Sequence, residues 1–241
     1  MQKMIVAVLL VCSIFVLAGC MYPQENLSKN QITNDEQLTV VQHAIDQYAE
    51  ANDGLLPIYT KDNDTPIYQK YVIDFSALKQ QGFLAEIPGS AFENGGTYQY
   101  VLIDVETNPT VKVIDLQLSN ELREIQQRLL LYRAEHIYPP FGKRQDKYVY
   151  SLKYEELNLD TEPFVRSPYS GENLPVYITT EGELIIDYRS DIYQLMIEHD
   201  HSYQQGEDIR PLLTDHYPFV PAYSIPYVIK DGEPVFSFDL E

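Results

Sequence analysis

Cysteine is nearly absent. The 241 residues include two, Cys12 and Cys20, so no thiol lies beyond position 20. Disulfides, thiolate metal sites and cysteine nucleophiles are thereby excluded from the body of the chain. Positive charge is scarce too: 17 Lys and Arg stand against 36 Asp and Glu, a formal charge of −19. Phosphate recognition needs clustered cations, so nucleic acid is excluded as a partner. The same balance opposes electrostatic docking to anionic lipid. Tryptophan is missing, and 20 Tyr beside 9 Phe carry the aromatic packing, so most rings bring a polar tip. Also absent are G-x-S-x-G, H-E-x-x-H, a P-loop and the Rossmann glycine set. At 44% hydrophobic and 22% charged, what is present is a folding chain.

One long apolar run exists. Lys3 is a minimal positive start, and Met4 to Leu17 carries no charge. This is shorter than the ~20 residues of a spanning helix and fits the hydrophobic region of a signal peptide. The run ends in Leu17-Ala18-Gly19-Cys20, which resembles the lipobox of bacterial lipoproteins. That resemblance implies cleavage before Cys20 and transfer to its thiol of a diacylglycerol, which carries palmitate-type acyl chains. The expectation is a signal peptide over 1–19, then lipidated Cys20 and a polar tether over 20–35. The partner of Cys20 is the lipid bilayer, on the extracytoplasmic face of the cell membrane. Removing Lys3 and no acid leaves 16 bases against 36 acids, a charge of −20. Repulsion from an anionic membrane and wall is then expected to hold the body off both surfaces.

Beyond the tether the chain repeats itself. Leu38, Val41, Ile45 and Tyr48 mark one helical face, which stops at Asn52-Asp53-Gly54. Leu56-Pro57 follows, then Tyr71-Val72-Ile73, Phe75 and Leu78, and a hairpin through Tyr98, Tyr100, Leu102, Val111 and Val113. A second helix is marked by Leu118, Leu122, Ile125, Leu129 and Tyr132. Tyr138-Pro139 then takes the place of Leu56-Pro57, Tyr148-Val149-Tyr150 that of Tyr71-Val72-Ile73, and Tyr154 and Leu157 those of Phe75 and Leu78. Val176 to Ile178 and Leu184 to Ile186 complete a second hairpin. Ile192, Leu195, Met196 and His199 suggest a short third helix, and Pro226 to Phe238 a last hairpin around Asp231-Gly232. The fold class expected is α+β: tandem helix-plus-antiparallel-sheet units over 36–116 and 117–189, and a C-terminal helix/hairpin extension over 190–241.

This layout is similar to the globular half of type II secretion pseudopilins, as an analogy of fold alone. No prepilin cleavage motif is present, so filament assembly is not implied. The whole chain more closely resembles the YphF-like lipoproteins of spore-forming Gram-positive bacteria. The resemblance rests on Leu55-Leu56-Pro57, Thr65 to Tyr71, Ile73-Asp74-Phe75, Glu93 to Gly96, Tyr98 to Leu102 and Val111-Lys112-Val113. It implies a compartment and carries over no catalytic residue and no cofactor.

Candidate chemistry is thin. His199-Asp200-His201 with Glu198 and His216 offers nitrogen and oxygen donors, but not at a helical zinc spacing. Asp62-x-Asp64 is a fragment of a calcium loop without its glycine and distal glutamate. No metal and no cofactor is therefore expected. Two aromatic–proline stretches remain: Tyr59, Tyr68 and Tyr71 beside Pro57 and Pro66, and Tyr217, Phe219 and Tyr223 among Pro218, Pro221 and Pro226. Either they cover small cores, each ring keeping its hydroxyl wet, or they form a contact surface for a protein or wall component. The expected function is a non-catalytic binding module of the cell envelope. The alternative is an envelope enzyme or metal-ion-handling protein using a carboxylate or histidine site.

Overall fold

A computed structural model describes residues 25–59 and 61–240, with side chains from residue 35 onward. The signal segment and Cys20 lie outside the described residues. The chain divides into two bodies, Met1–Gln37 and Leu38–Glu241. Of the former, the described part is helical, the opening of α1 (Glu25–Ala51). The helix thus begins well before Leu38, inside the segment read from sequence as a tether.

In the larger body, the first α+β unit opens on α1, which buries Val41, Ala44 and Ile45 on the face marked by sequence spacing. It ends in a left-handed cap: Asp53 and Gly54 have φ of 55° and 83°. The Gly54 N–H donates to the Ala49 carbonyl at 2.9 Å, which satisfies a terminal acceptor. After a short turn of helix, α2 (Ile67–Lys70), the chain crosses the sheet edge through the bridge Val72↔Val101. The Asp74 carboxylate accepts from the N–H groups of Ser76 and Ala77 and starts α3 (Phe75–Gln80), which buries Phe75 and Leu78. Strands β1 (Tyr98–Ile103) and β2 (Thr110–Asp115) form an antiparallel hairpin with Tyr100 opposite Val113.

Helix α4 (Leu116–Glu135) opens the second α+β unit of this body and buries Leu118, Leu122, Ile125 and Leu129. Strands β3 (Phe141–Arg144), β4 (Val149–Leu152), β5 (Phe164–Arg166), β6 (Asn173–Thr179) and β7 (Leu184–Ile186) form one antiparallel sheet. Its order is β3-β4-β6-β5, with β7 also on β6. The two stretches differ in element order, with two strands in the first and five in the second, but they share several hydrogen bonds. Asp74 N–H donates to the Pro57 carbonyl at 2.7 Å, and Lys153 N–H to the Pro140 carbonyl at 2.8 Å. Ile58 pairs with Ile73 as Phe141 pairs with Leu152. Asp115 and Asp187 each accept from the N–H two residues on, at the entry to the next helix.

These bonds correct the sequence register. The counterpart of Tyr71-Val72-Ile73 is Tyr150-Ser151-Leu152, two residues beyond Tyr148-Val149-Tyr150, and Pro140 rather than Pro139 stands for Pro57. Matching tyrosine to tyrosine chose the wrong pair, because alternating tyrosines flank β4 on both sides.

The C-terminal extension is α5 (Arg189–Glu198), α6 (Pro211–His216) and the hairpin β8 (Tyr227–Lys230) with β9 (Glu233–Phe236). It closes on both units. Tyr227 and Phe236 belong to the second unit's core, and Phe219 to the first unit's. Phe219 bridges Val113 in parallel, with Val113 N–H donating to Pro218 O and Val220 N–H to Val113 O. A small third core of Tyr68, Val72, Val101, Ile103, Ile114, Val220 and Ala222 fills the junction. The Lys112 ammonium adds bonds to the carbonyls of Thr214 and Tyr217. Burial lowers its pKa. Among the described residues, no helix is long and apolar enough to cross a membrane.

Candidate functional site

The aromatic–proline stretches do come together, but inside the protein. Tyr68 and Phe219 are buried, and Tyr71, Tyr217 and Tyr223 are half-buried. Only Tyr59 of the six is exposed. The Tyr68 ring lies under the Arg210 guanidinium, 5.0 Å from its carbon, and burial raises its hydroxyl pKa. Tyr217 and Phe219 both meet the Tyr169 ring edge-on, at 5.3 and 6.4 Å. Tyr169 packs against the cores of both units. Five of the six rings therefore spend most of their surface on the interior, where apolar burial favours them.

The polar candidates stay apart. His199 and His216 stack with ring centroids 3.9 Å apart, and both are exposed. Asp62 and Asp64 are exposed in their loop. Among the described residues, no three His, Cys, Asp or Glu side chains are placed to hold a metal ion.

A concave feature forms elsewhere, where the C-terminal half of α4 faces the 3-10 turn Tyr154–Leu157. This cleft encloses about 690 Å³ and is lined by Arg128, Leu131, Tyr132, Glu135, His136, Glu155, Glu156, Leu157 and Asn158. One turn of α4 separates Tyr132 from His136, so their rings share a face and stack at 4.0 Å with 6° between planes. The His136 Nδ1 lies 2.9 Å from the Tyr132 carbonyl, which orients the ring. The Tyr132 hydroxyl donates to Glu156 at 2.5 Å. That bond, with Lys153 at 3.2 Å, lowers the Glu156 pKa and holds the carboxylate ionised. The Arg128 guanidinium donates to the carbonyls of Leu157 and Asn158 and pairs with Glu124. It ties the two walls together.

The lining therefore presents carboxylates over an aromatic floor, with Leu131 as an apolar wall. It contains no serine, threonine, cysteine or lysine beside His136 to act as a nucleophile. Such a cleft suits a hydroxyl-bearing or cationic group held by Glu135, Glu155 and the open ring face. Sequence reading passed it over. Tyr132 and His136 were visible at helical spacing, but their partner Glu156 arrives through the repeat's internal contact and carries no motif.

No curated protein and no solved structure matches the chain. Residues 34–115 match the YphF family N-terminal domain, ending on the last residue of β2 and so supporting a YphF-like family for the first unit.

Proposed function

We propose that this chain is an extracytoplasmic lipoprotein. Acyl chains on Cys20 hold it at the cell membrane, and its body is a non-catalytic binding module for an envelope protein or wall component. The anchor is supported by the uncharged run Met4–Leu17 leading into Leu17-Ala18-Gly19-Cys20. Each buried acyl methylene contributes about 0.8 kcal/mol, so two chains suffice for stable attachment. The single observation that carries the binding half is the cleft beside Tyr132 and His136: a formed hollow with fixed acceptors and no adjacent nucleophile. The pseudopilin-like element order is an analogy of layout, and filament assembly is no part of the proposal.

Two measurements test this reading. Growth with an alkyne-labelled palmitate should label the wild-type protein and leave Cys20→Ala unlabelled and released from the membrane fraction. Crosslinking from the cleft in the anchored protein should recover one reproducible envelope component, and Glu156→Ala with Tyr132→Ala should lose it. An unlabelled wild-type protein overturns the anchor. A recovered component that is indifferent to both cleft substitutions overturns the site.

A further inference from the structure

We propose that the cleft between α4 and the Tyr154–Leu157 turn takes a lysine side chain presented by an envelope protein. The proposal rests on the binding-module reading and names the group that the module binds.

The repeat supplies an internal comparison. Val41, Ile45 and Tyr48 of α1 match Ile125, Leu129 and Tyr132 of α4 in spacing and burial, and each helix ends three residues past its tyrosine. Across the gap, Phe75 and Leu78 match Tyr154 and Leu157. In the first unit this gap is closed. The chain turns at Gly82, with φ of 79°, and Phe83 meets the Tyr48 ring edge-on at 5.6 Å. The Gln81 amide donates to the Tyr48 hydroxyl at 3.3 Å and accepts from Asn52 at 3.1 Å. In the second unit the turn is shorter and reverses at Asn158, with φ of 54°. Leu159 then packs against the second core, and the hollow of about 690 Å³ stays open beside Tyr132. The cleft is therefore particular to the second unit and no by-product of the repeat.

The matched positions also differ in charge. Glu135, Glu155 and Glu156 stand where the first unit has Ala51, Ser76 and Ala77, and Leu131 stands where it has Gln47. Two bases share the place, and both are occupied. Arg128 bonds the Leu157 and Asn158 carbonyls and pairs with Glu124, and Lys153 pairs with Glu156. Among the described residues, Glu135 and Glu155 are in no ion pair; the paired acids are Glu124, Glu156, Asp187 and Asp208. Leu131, on the same wall as Glu135, is 73% exposed.

A lysine side chain answers these features together. Its ammonium has three diverging donors, which suit carboxylates arriving from two walls, whereas a guanidinium prefers the edge of one. Its apolar stem lies along Leu131. A neutral sugar leaves both free carboxylates uncompensated. A wall peptide brings carboxylates of its own towards a chain of net charge −19, while a protein presents lysine without that repulsion.

The test uses the mature chain carrying Cys20→Ser, made without lipid, with Nα-acetyl-lysine methylamide as the probe. The probe should shift the Leu131 methyl and His136 ring resonances saturably. The same probe with a hydroxyl in place of its amine should bind about tenfold more weakly or less. Glu135→Gln with Glu155→Gln should cause the same loss. Asp62→Asn with Asp64→Asn removes equal charge from a loop of the first unit and should leave binding unchanged. All four positions are exposed, and an unchanged unfolding midpoint keeps folding out of the comparison. In cells making the wild-type protein, a zero-length carbodiimide should join Glu135 or Glu155 through an amide to a lysine of another protein. No shift with the probe overturns the proposal, and equal binding of the hydroxyl form overturns it in favour of a neutral ligand. A loss shared by the Asp62 and Asp64 variant overturns it in favour of general charge attraction, and a link to an amine on a muramidase-released fragment in favour of the wall. A component crosslinked from the cleft that engages it through no amine ends this assignment and leaves the binding module standing.

Discussion

The Tyr227 hydroxyl accepts from the Tyr188 N–H and donates to the Ile186 carbonyl, each at 3.0 Å, with the ring fully buried. The Tyr188 hydroxyl in turn donates to Ala222 O, and the half-buried Tyr223 hydroxyl bonds Ser119. A chain with 20 tyrosines and no tryptophan can build its core this way only if each sunken hydroxyl finds a partner. Among the described residues, every buried side-chain polar atom has one. Tyr227→Phe keeps the ring and strands the Tyr188 N–H, an expected loss of about 2 kcal/mol. Tyr59→Phe, at an exposed site, should change stability by less than about 0.5 kcal/mol. Urea unfolding midpoints measure both, and equal effects would remove the argument.

At the scale of elements, the helix α5 and the loop before β6 are joined by one buried carboxylate. Asp191 accepts from Ser167 Oγ at 2.8 Å and Ser170 Oγ at 2.6 Å. Between the two serines lies Tyr169, the ring that packs against both cores. Burial raises the Asp191 pKa, the two hydroxyls lower it, and the nearby acids Asp187 and Glu172 raise it. The folded state therefore binds this proton more readily than the unfolded state. Stability from this group is present below its ordinary value of 3.8 and is lost as pH rises toward the folded value. Asp191→Asn lacks that loss, so it should destabilise more at pH near ~4 than at pH near ~7. Chemical unfolding of both forms at the two pH values decides it, and an equal difference at both would sink the linkage.

How much was legible divides along the same line. Leu118, Leu122, Ile125 and Leu129 announced α4 because helical spacing is local and survives in the sequence. The hairpins β6–β7 and β8–β9 were legible from alternation around Gly182 and Gly232, and β1–β2 from alternation alone, whereas β3 carried no such signal. The strand register was not, since tyrosine recurs too often to mark a position. The cleft was not, because its two walls meet only through the fold. Nor was the fate of Phe219: ring and prolines read equally as surface or core, and the pairing with Val113 decides it.

That pairing sets the behaviour of the whole body from Leu38 to Glu241. Two units that merely followed one another would unfold separately. Here the last quarter of the chain adds backbone bonds to β2, side-chain bonds from Lys112, and Phe219 to the first core, while Tyr227 and Phe236 stay in the second. Neither core is complete without that segment, so the body should melt in a single transition. Phe219→Ala removes a 7%-exposed ring that meets Tyr98 edge-on at 5.6 Å. Its expected cost is about 3–5 kcal/mol. If the units are coupled, amides of both β1–β2 and β6–β7 should exchange faster in this variant, and calorimetry should show one peak at lower temperature. A split into two peaks, with the second unit at its original midpoint, would mean that the extension rests on the first unit without joining it to the second.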